Sequence, residues 1–430
     1  MEISELYDIF CQHPVVTTDT RDCPAGSIFF ALKGETFDGN AFAHQALVAG
    51  CAYAVVDDAK VVADRRFIWV ENVLATLQQL AAYHRRQMGT PIIQITGTNG
   101  KTTTKELVAA VLAEKYNLLY TQGNFNNHIG VPKTLLRLKR EHEIAVVETG
   151  ANHPGEIADL SKLVQADCGL ITNVGKAHLE GFGSFEGVVR TKGELYDALR
   201  EKEGAFIFLN GDNPHLCRIA EGLRAETYGM PGKGYDVEGE VISCTPFLNF
   251  RWRQHGGEWQ EVHTHLIGAY NIDNALAAAT VGLHFGVQPQ QITYALSHYE
   301  PTNNRSELKK TASNDLIVDA YNANPTSMKA ALDNFRWVKH PHKMVILGEM
   351  RELGAASAEE HRQVVEQLKD LGCENVWLVG KEFAPFAGDY GYFDNVEEVK
   401  ALLKSEPVKG QLILIKGSNG TKLFQLPDLL

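Results

Sequence analysis

The sequence predicts an α/β protein of three domains: a small α/β domain first, then two built on mostly parallel sheets covered by helices. Three observations carry this. The chain has 430 residues, and domains usually run about 100–200 residues, so two or three are expected. Short β-rich runs alternate with helical patterns through most of the chain, as parallel strands joined by helices do. Most of those runs end in polar or glycine-rich segments, and open α/β sheets bind ligands beyond the carboxyl ends of their strands.

The elements follow in order. The first region, residues 1 to 88, offers a strand at Ile28-Phe-Phe-Ala-Leu32, a turn at Lys33-Gly34-Glu35, Phe37-Asp-Gly-Asn40 and a helix around Ala43–Ala49. Gln87-Met-Gly-Thr-Pro91 is rich in turn formers and reads as a linker. The central region, residues 89 to 297, has buried strands at Ile92–Ile95, Ile144–Val147, Leu170–Thr172 and Phe206–Leu209. A second linker, His298-Tyr-Glu-Pro-Thr-Asn-Asn304, opens the last region, residues 298 to 430. Its strands are Leu316–Val318, Met344–Leu347, Val376–Val379 and Leu412–Ile415, and its helix Glu359–Leu371 repeats apolar residues at Val364, Val365, Leu368 and Leu371 as a covering helix does.

Composition narrows the function classes. Hydrophobic residues make up 44% and charged residues 22%, which excludes disorder and fibrous repeats. A net charge of −12 speaks against coating nucleic acid or a membrane surface, while leaving room for a local cationic pocket. The seven cysteines are odd in number, scattered and without a Cys-x-x-Cys pair, so neither a disulfide framework nor a structural zinc site is expected. The chain starts on acidic residues, not a secretory signal, and no apolar run reaches the roughly 18 residues a membrane helix needs. A soluble, cytoplasmic protein is the expectation.

The strongest local pattern is Gly97-Thr98-Asn99-Gly100-Lys101-Thr102-Thr103, between the strand Ile92–Ile95 and a helical stretch from Lys105. Strand, glycine-rich turn and helix start make a phosphate loop: glycines let the backbone approach phosphates, and the helix N-terminus favours negative charge. Lys101 supplies a cation for the terminal phosphates and Thr102 a hydroxyl for magnesium. The usual glycine five residues before Gly100 is Ile95, so the loop is a shortened variant.

Other candidates are weaker alone. Glu148 leaves a strand and is placed to bind magnesium, although a solvated strand-end glutamate looks the same. His178 ends Thr172-Asn-Val-Gly-Lys-Ala-His178, and a lone histidine there is more often structural. Lys192 and Glu194 read by composition as a charged helix face. Asn124, Asn126 and Asn127 crowd one turn. Asp319 ends a strand and suits a ribose hydroxyl. Arg305 suits a phosphate, and Lys416-Gly-Ser-Asn-Gly420 suits an anion.

The phosphate loop, together with Glu148-Thr-Gly150, Asn173-Val-Gly-Lys-Ala-His-Leu-Glu-Gly-Phe-Gly183 and Gly268-Ala-Tyr-Asn271-Ile-Asp-Asn274, resembles the Mur ligase superfamily. Asp319-Ala-Tyr-Asn-Ala-Asn-Pro325 and Leu347-Gly-Glu-Met-Arg-Glu-Leu-Gly354 resemble its MurF type, and Asp19-Thr-Arg21, Gly26–Gly34 and Phe37-Asp-Gly39 resemble that type's UDP-binding domain. Asn304 before Arg305, and Tyr270 before Asn271, depart from the glycine and histidine common there.

The resemblance covers nearly the whole chain. It implies a UDP-binding domain, a P-loop-type ATPase domain and a Rossmann-like C-terminal domain. It also implies ATP-dependent joining of D-Ala-D-Ala to UDP-N-acetylmuramoyl-tripeptide through an acyl phosphate, in peptidoglycan synthesis, by a monomer. ATP would be held by Gly97 to Thr103, Asn271, Asn274, Arg305, Asp319 and Tyr321. Mg2+ would be held by Thr102, Glu148, His178 and a carbamylated Lys192, and Lys101, Glu148, His178 and Lys192 would be the catalytic set. Thr20, Arg21, Ser27, Asn124, Asn126, Asn127, Asn322 and Asn324 would meet the substrates. The alternatives are a sibling ligase or folylpolyglutamate-type ligase adding one amino acid, and, in another class, an inactive nucleotide-binding scaffold.

Overall fold

The structure, a computed structural model, describes residues 1–301, 306–373 and 375–430. Among these residues the strands form three sheets, of four, nine and six strands. The first is parallel throughout, in the spatial order Val16–Thr17, Ile28–Phe30, Tyr53–Val56, Phe67–Trp69. The helix Val73–Met88 leaves it, capped by the Asn72 side chain and ended by Gly89 at φ 67°. That helix packs on Ile3–Gln12 and also on Gly130–Leu135 and Glu156–Val164 of the next unit. The proposed linker therefore begins as helix, because Gln87 and Met88 complete its last turn and only Gly89 to Pro91 connect onward.

The central sheet runs Gln260–Ile267, Phe247–Gln254, Val237–Cys244, Ala225–Gly229, Phe206–Asn210, Cys168–Ile171, Ile92–Thr96, Ile144–Glu148, Leu118–Tyr120. Its two pairings beyond Val237–Cys244 are antiparallel, a ribbon the sequence reading did not find. The reason is its burial pattern. Leu248, Phe250 and Trp252 point inward while Asn249, Arg251 and Arg253 point outward, so no continuous apolar run marks the strand. The central parallel strands Ile92–Thr96, Ile144–Glu148 and Cys168–Ile171 are buried at every position.

The last sheet runs Glu307–Lys310, Asp315–Asp319, Leu412–Lys416, Lys343–Gly348, Asn375–Val379, Gly391–Phe393. Only its Glu307–Lys310 edge is antiparallel. The covering helix spans Ser357–Leu368, with Leu371 buried just beyond it. In both larger sheets the order reverses beside a central strand: Ile92–Thr96 lies between Ile144–Glu148 and Cys168–Ile171, and Leu412–Lys416 between Asp315–Asp319 and Lys343–Gly348. Crevices at such switch points bind ligands. Here both open onto one cavity.

Candidate active site

The phosphate loop joins the strand Ile92–Thr96 to the helix Lys101–Ala113. Two glycines make its path possible. Gly97 has φ 144°, and a Cβ there would lie 2.0 Å from the Thr172 hydroxyl oxygen. Gly100 has φ 77°, and a Cβ there would lie 2.6 Å from Asn274 Oδ1. The segment after the neighbouring strand braces the loop from the side. Thr98 N–H donates to Asn173 O at 3.0 Å and Asn99 N–H to Asn173 Oδ1 at 3.0 Å, while the Thr172 hydroxyl donates to Asn99 O at 2.6 Å. Lys101 Nζ folds back onto the carbonyls of Gly97 and Thr98, both at 2.9 Å. Gly100 to Thr103 line a cavity of about 500 Å³, so the positive end of the helix faces it.

Glu148 is fully buried at the end of its strand. Its Oε1 accepts from Thr102 Oγ1 at 3.2 Å and Asn126 Nδ2 at 2.7 Å. Its Oε2 is buried and has no hydrogen-bond partner among the described residues. A buried carboxylate oxygen left unpaired costs free energy unless a cation meets it, so Thr102 and Glu148 fit Mg2+. No group of three His, Cys, Asp or Glu side chains suited to a metal occurs among the described residues.

Lys192 corrects the composition-based reading of a charged face. The helix Phe185–Arg200, capped by Ser184, buries Val188, Val189, Leu195, Tyr196 and Leu199, and Lys192 falls on that same stripe. Its Nζ reaches Ala151 O at 3.4 Å and sits 5.3 Å from the Phe182 ring centre. Burial, with the Lys101 charge adding to it, brings its amine from the ordinary 10.5 down to about 7. Glu194 does not pair with it: that carboxylate accepts from Gly155 N–H at 2.7 Å and Ala158 N–H at 2.9 Å, capping another helix.

His178 lines the cavity in a left-handed backbone conformation, φ 48°. Its Nδ1 pairs with the Glu352 carboxylate from the last unit. Burial holds its imidazole below the usual histidine range, the charges of Lys101 and Lys192 acting the same way and Glu352 opposing them.

The last unit closes the cavity. Asp319, Tyr321 and Asn322 line it. Lys416, the candidate anion holder, instead donates to Asp319 Oδ2 at 2.5 Å from a buried position. Asn324 caps the helix Pro325–Trp337 and donates from Nδ2 to Asn99 Oδ1 at 2.8 Å, joining the last unit to the phosphate loop. Thr326 Oγ1 accepts from Lys176 N–H at 3.0 Å, and Lys176 Nζ pairs with Glu360 at 2.6 Å. Asn271 and Asn274 line the cavity too, with their amides linked to each other at 2.8 Å and Asn274 Oδ1 accepting from Thr104 at 3.0 Å.

The remaining candidates are scattered. Asn127 lines the cavity and its Oδ1 accepts from Gly130 N–H at 2.9 Å; Asn124 belongs to the same turn but does not line the cavity. Arg305 lies outside the described residues. Thr20, Arg21 and Ser27 are far along the chain, in the first unit. Arg21 is exposed and paired with Asp19 at 2.6 Å, whereas Ser27 is buried with its hydroxyl 3.2 Å from Cys51 Sγ. Sequence reasoning gave no role to Asn173, Thr326, Glu352 or Glu360. Asn173 follows a strand beside the loop, a usable signal; the other three act through contacts between units that no local pattern announces.

Comparison with known proteins agrees with this arrangement. The family model for the Mur ligase middle domain matches residues 95–282, that for the Mur ligase glutamate ligase domain residues 304–419, and that for the Mur ligase catalytic domain residues 14–85. The UDP-N-acetylmuramoyl-tripeptide–D-alanyl-D-alanine ligase of Bacillus subtilis is 38% identical over 426 residues, covering 96% of this chain and 92% of its own. A crystal structure of MurF from Acinetobacter baumannii superposes with a TM-score of 0.85 at 32% identity, covering 96% of this chain and 92% of that one. MurF from Thermotoga maritima in complex with ADP superposes with a TM-score of 0.84 at 25% identity and 96% coverage of both. A phosphate loop, a buried strand-end glutamate and a lysine on an apolar helix stripe thus occur in the setting those relatives share, and the chain belongs to the Mur ligase family.

Proposed function

We propose that this chain is an ATP-dependent ligase that joins D-Ala-D-Ala to UDP-N-acetylmuramoyl-tripeptide in peptidoglycan synthesis. The observation that carries it is the buried Glu148 carboxylate, half unpartnered beside the Thr102 hydroxyl, at the mouth of a phosphate loop that faces a second sheet. The relatives at 38% and 36% identity bear the name of that ligase. A carboxylate is a poor electrophile, and phosphorylation by ATP turns one of its oxygens into a leaving group that the dipeptide amine then displaces. Magnesium, when bound, offsets the charge gathered as the two anions meet.

The chain's own residues do the rest. Gly97 to Thr103 cradle the phosphates, and Lys101 leaves its carbonyl partners for the terminal ones. Thr102, Glu148 and His178 would hold the cation. Lys192, kept partly neutral near pH 7 by burial, has the free amine that attack on carbon dioxide needs; the new C–N bond forms as a proton leaves. The resulting carbamate supplies an anion where an ammonium would repel magnesium. Asn271, Asn274, Asp319, Tyr321 and Arg305 would hold the nucleoside and its phosphates. Asn124, Asn126, Asn127, Asn322 and Asn324 would frame the peptide substrates, and Thr20, Arg21 and Ser27 the UDP end. We place the domain boundaries near residues 88 and 297, and assign the enzyme to the cytoplasm as a monomer. No helix among the described residues is long and apolar enough to cross a membrane.

The test is mass spectrometry of the products formed from ATP, D-Ala-D-Ala and a panel of UDP-muramoyl tripeptides, with phosphate release followed in parallel. A pentapeptide product with matching phosphate is expected. Product with single amino acids but not the dipeptide, or nucleotide binding without any amide product, would overturn the reading.

A further inference from the structure

We propose that Glu352 is a positioning residue through which the last unit orients His178, so that the magnesium-holding group is complete only when that unit is seated. This rests on the function proposed above. The carboxylate of Glu352 takes the Nδ1 side of His178. A carboxylate can only accept there, so Nδ1 carries the proton and Nε2 is left as the acceptor and ligand nitrogen, the arrangement metal-ligating histidines use.

The backbone shows that the contact is built. His178 at φ 48° and Glu352 at φ 61° are both non-glycine residues in the left-handed region. Each costs of order 1 kcal/mol and persists only where surrounding contacts fix it. They are fixed together: Glu180 N–H donates to Glu352 O at 3.1 Å, between units. The His178 ring also stands edge-on to Phe182, 6.1 Å between centres and 89° between planes. Phe182 is also the ring beneath Lys192. Glu352, His178, Phe182 and Lys192 therefore form one continuous chain of contacts from the last unit into the catalytic set. The Lys176–Glu360 ion pair lies in the same seam at 2.6 Å, yet neither residue lines the cavity. It offers a contact that holds the units without touching the imidazole.

The experiment is a Mn2+ titration of the full chain with a non-hydrolysable ATP analogue, read by electron paramagnetic resonance, on wild type, E352A, E352Q and K176A, with kcat and KM measured alongside. E352A is expected to lose about 10- to 100-fold in Mn2+ affinity, as other partners of ligating histidines do, and to lose kcat rather than KM for D-Ala-D-Ala. E352Q, whose amide oxygen still accepts from Nδ1, should recover most of that affinity. K176A should bind Mn2+ as wild type does. Wild-type affinity in E352A, an equal loss in K176A, or no recovery in E352Q would each overturn the positioning role. A wild-type chain that binds no Mn2+ with the analogue would overturn the metal-site reading itself, and the positioning role with it.

Discussion

Replacing Gly100 by alanine should damage the phosphate loop by an amount that can be worked out beforehand. Gly100 sits at φ 77°, and leaving an alanine in that left-handed conformation costs roughly 1–2 kcal/mol. The new methyl would also lie 2.6 Å from Asn274 Oδ1. Asn274 is buried and makes two hydrogen bonds, to Asn271 and from Thr104. Displacing it forfeits about 1 kcal/mol for each. G100A should therefore cost about 3–4 kcal/mol locally. N274A alone should cost about 2 kcal/mol, because it loses the same two bonds. The double variant should cost no more than G100A, since the side chain that the methyl strikes is already gone. Simple addition would give about 5–6 kcal/mol, so the cycle should show a coupling of about 2 kcal/mol. Native-state hydrogen exchange of the helix Lys101–Ala113 reads this locally, without requiring the units to unfold together. Additivity within about 0.5 kcal/mol would refute the idea that Asn274 and Gly100 are fitted to each other.

Three further outcomes follow from the same site. E148Q should keep or raise the thermal midpoint, because it neutralises a buried carboxylate with an unpaired oxygen, while magnesium-dependent turnover falls by at least about tenfold; a variant both less stable and fully active would contradict the assignment. K101A should abolish turnover and leave the circular dichroism spectrum unchanged, and wild-type rates would sink it. K192M should stabilise the protein most at acidic pH. The folded state releases the Lys192 proton near 7 while the unfolded chain keeps it to about 10.5, so the wild type gains stability as pH rises through that window and the advantage of the variant should fade across it. In carbon-dioxide-free buffer, a thermal-midpoint difference that stays flat from pH 6 to about pH 10 would show that Lys192 is not buried as an amine.

Much of this fold can be seen in the chain, for a physical reason. Parallel strands covered on both faces read as near-continuous apolar runs, so Ile144–Val147 and Leu412–Ile415 stand out. The ribbon Val237–Ile267 is less apparent because its middle strand turns one face outward. At the site, the loop's chemistry is written in contiguous residues and is easily seen. Lys192 is half visible: composition hides it, but the spacing of Val188, Leu195, Tyr196 and Leu199 puts it on the buried stripe. Lys416 is misleading, since an end-of-strand lysine looks like an anion holder until Asp319 is found opposite it. The partnership of His178 with Glu352 has no local trace, because it joins residues 174 apart.

The seam between the central and last units combines the apolar contacts of Leu179, Phe247 and Ile267 with the last unit's core and a set of hydrogen bonds and ion pairs, Asn99 with Asn324, Lys176 with Thr326 and Glu360, and His178 with Glu352. Water can replace each partner, so net contributions are about 1 kcal/mol apiece rather than the larger sums that oily surfaces bring. Such a seam sets a ceiling on how firmly the two halves grip one another. That suits a site that has to shelter a moisture-sensitive mixed anhydride and then release a bulky, multiply charged nucleotide sugar. A tighter, greasier hinge would guard the reaction better and finish it more slowly.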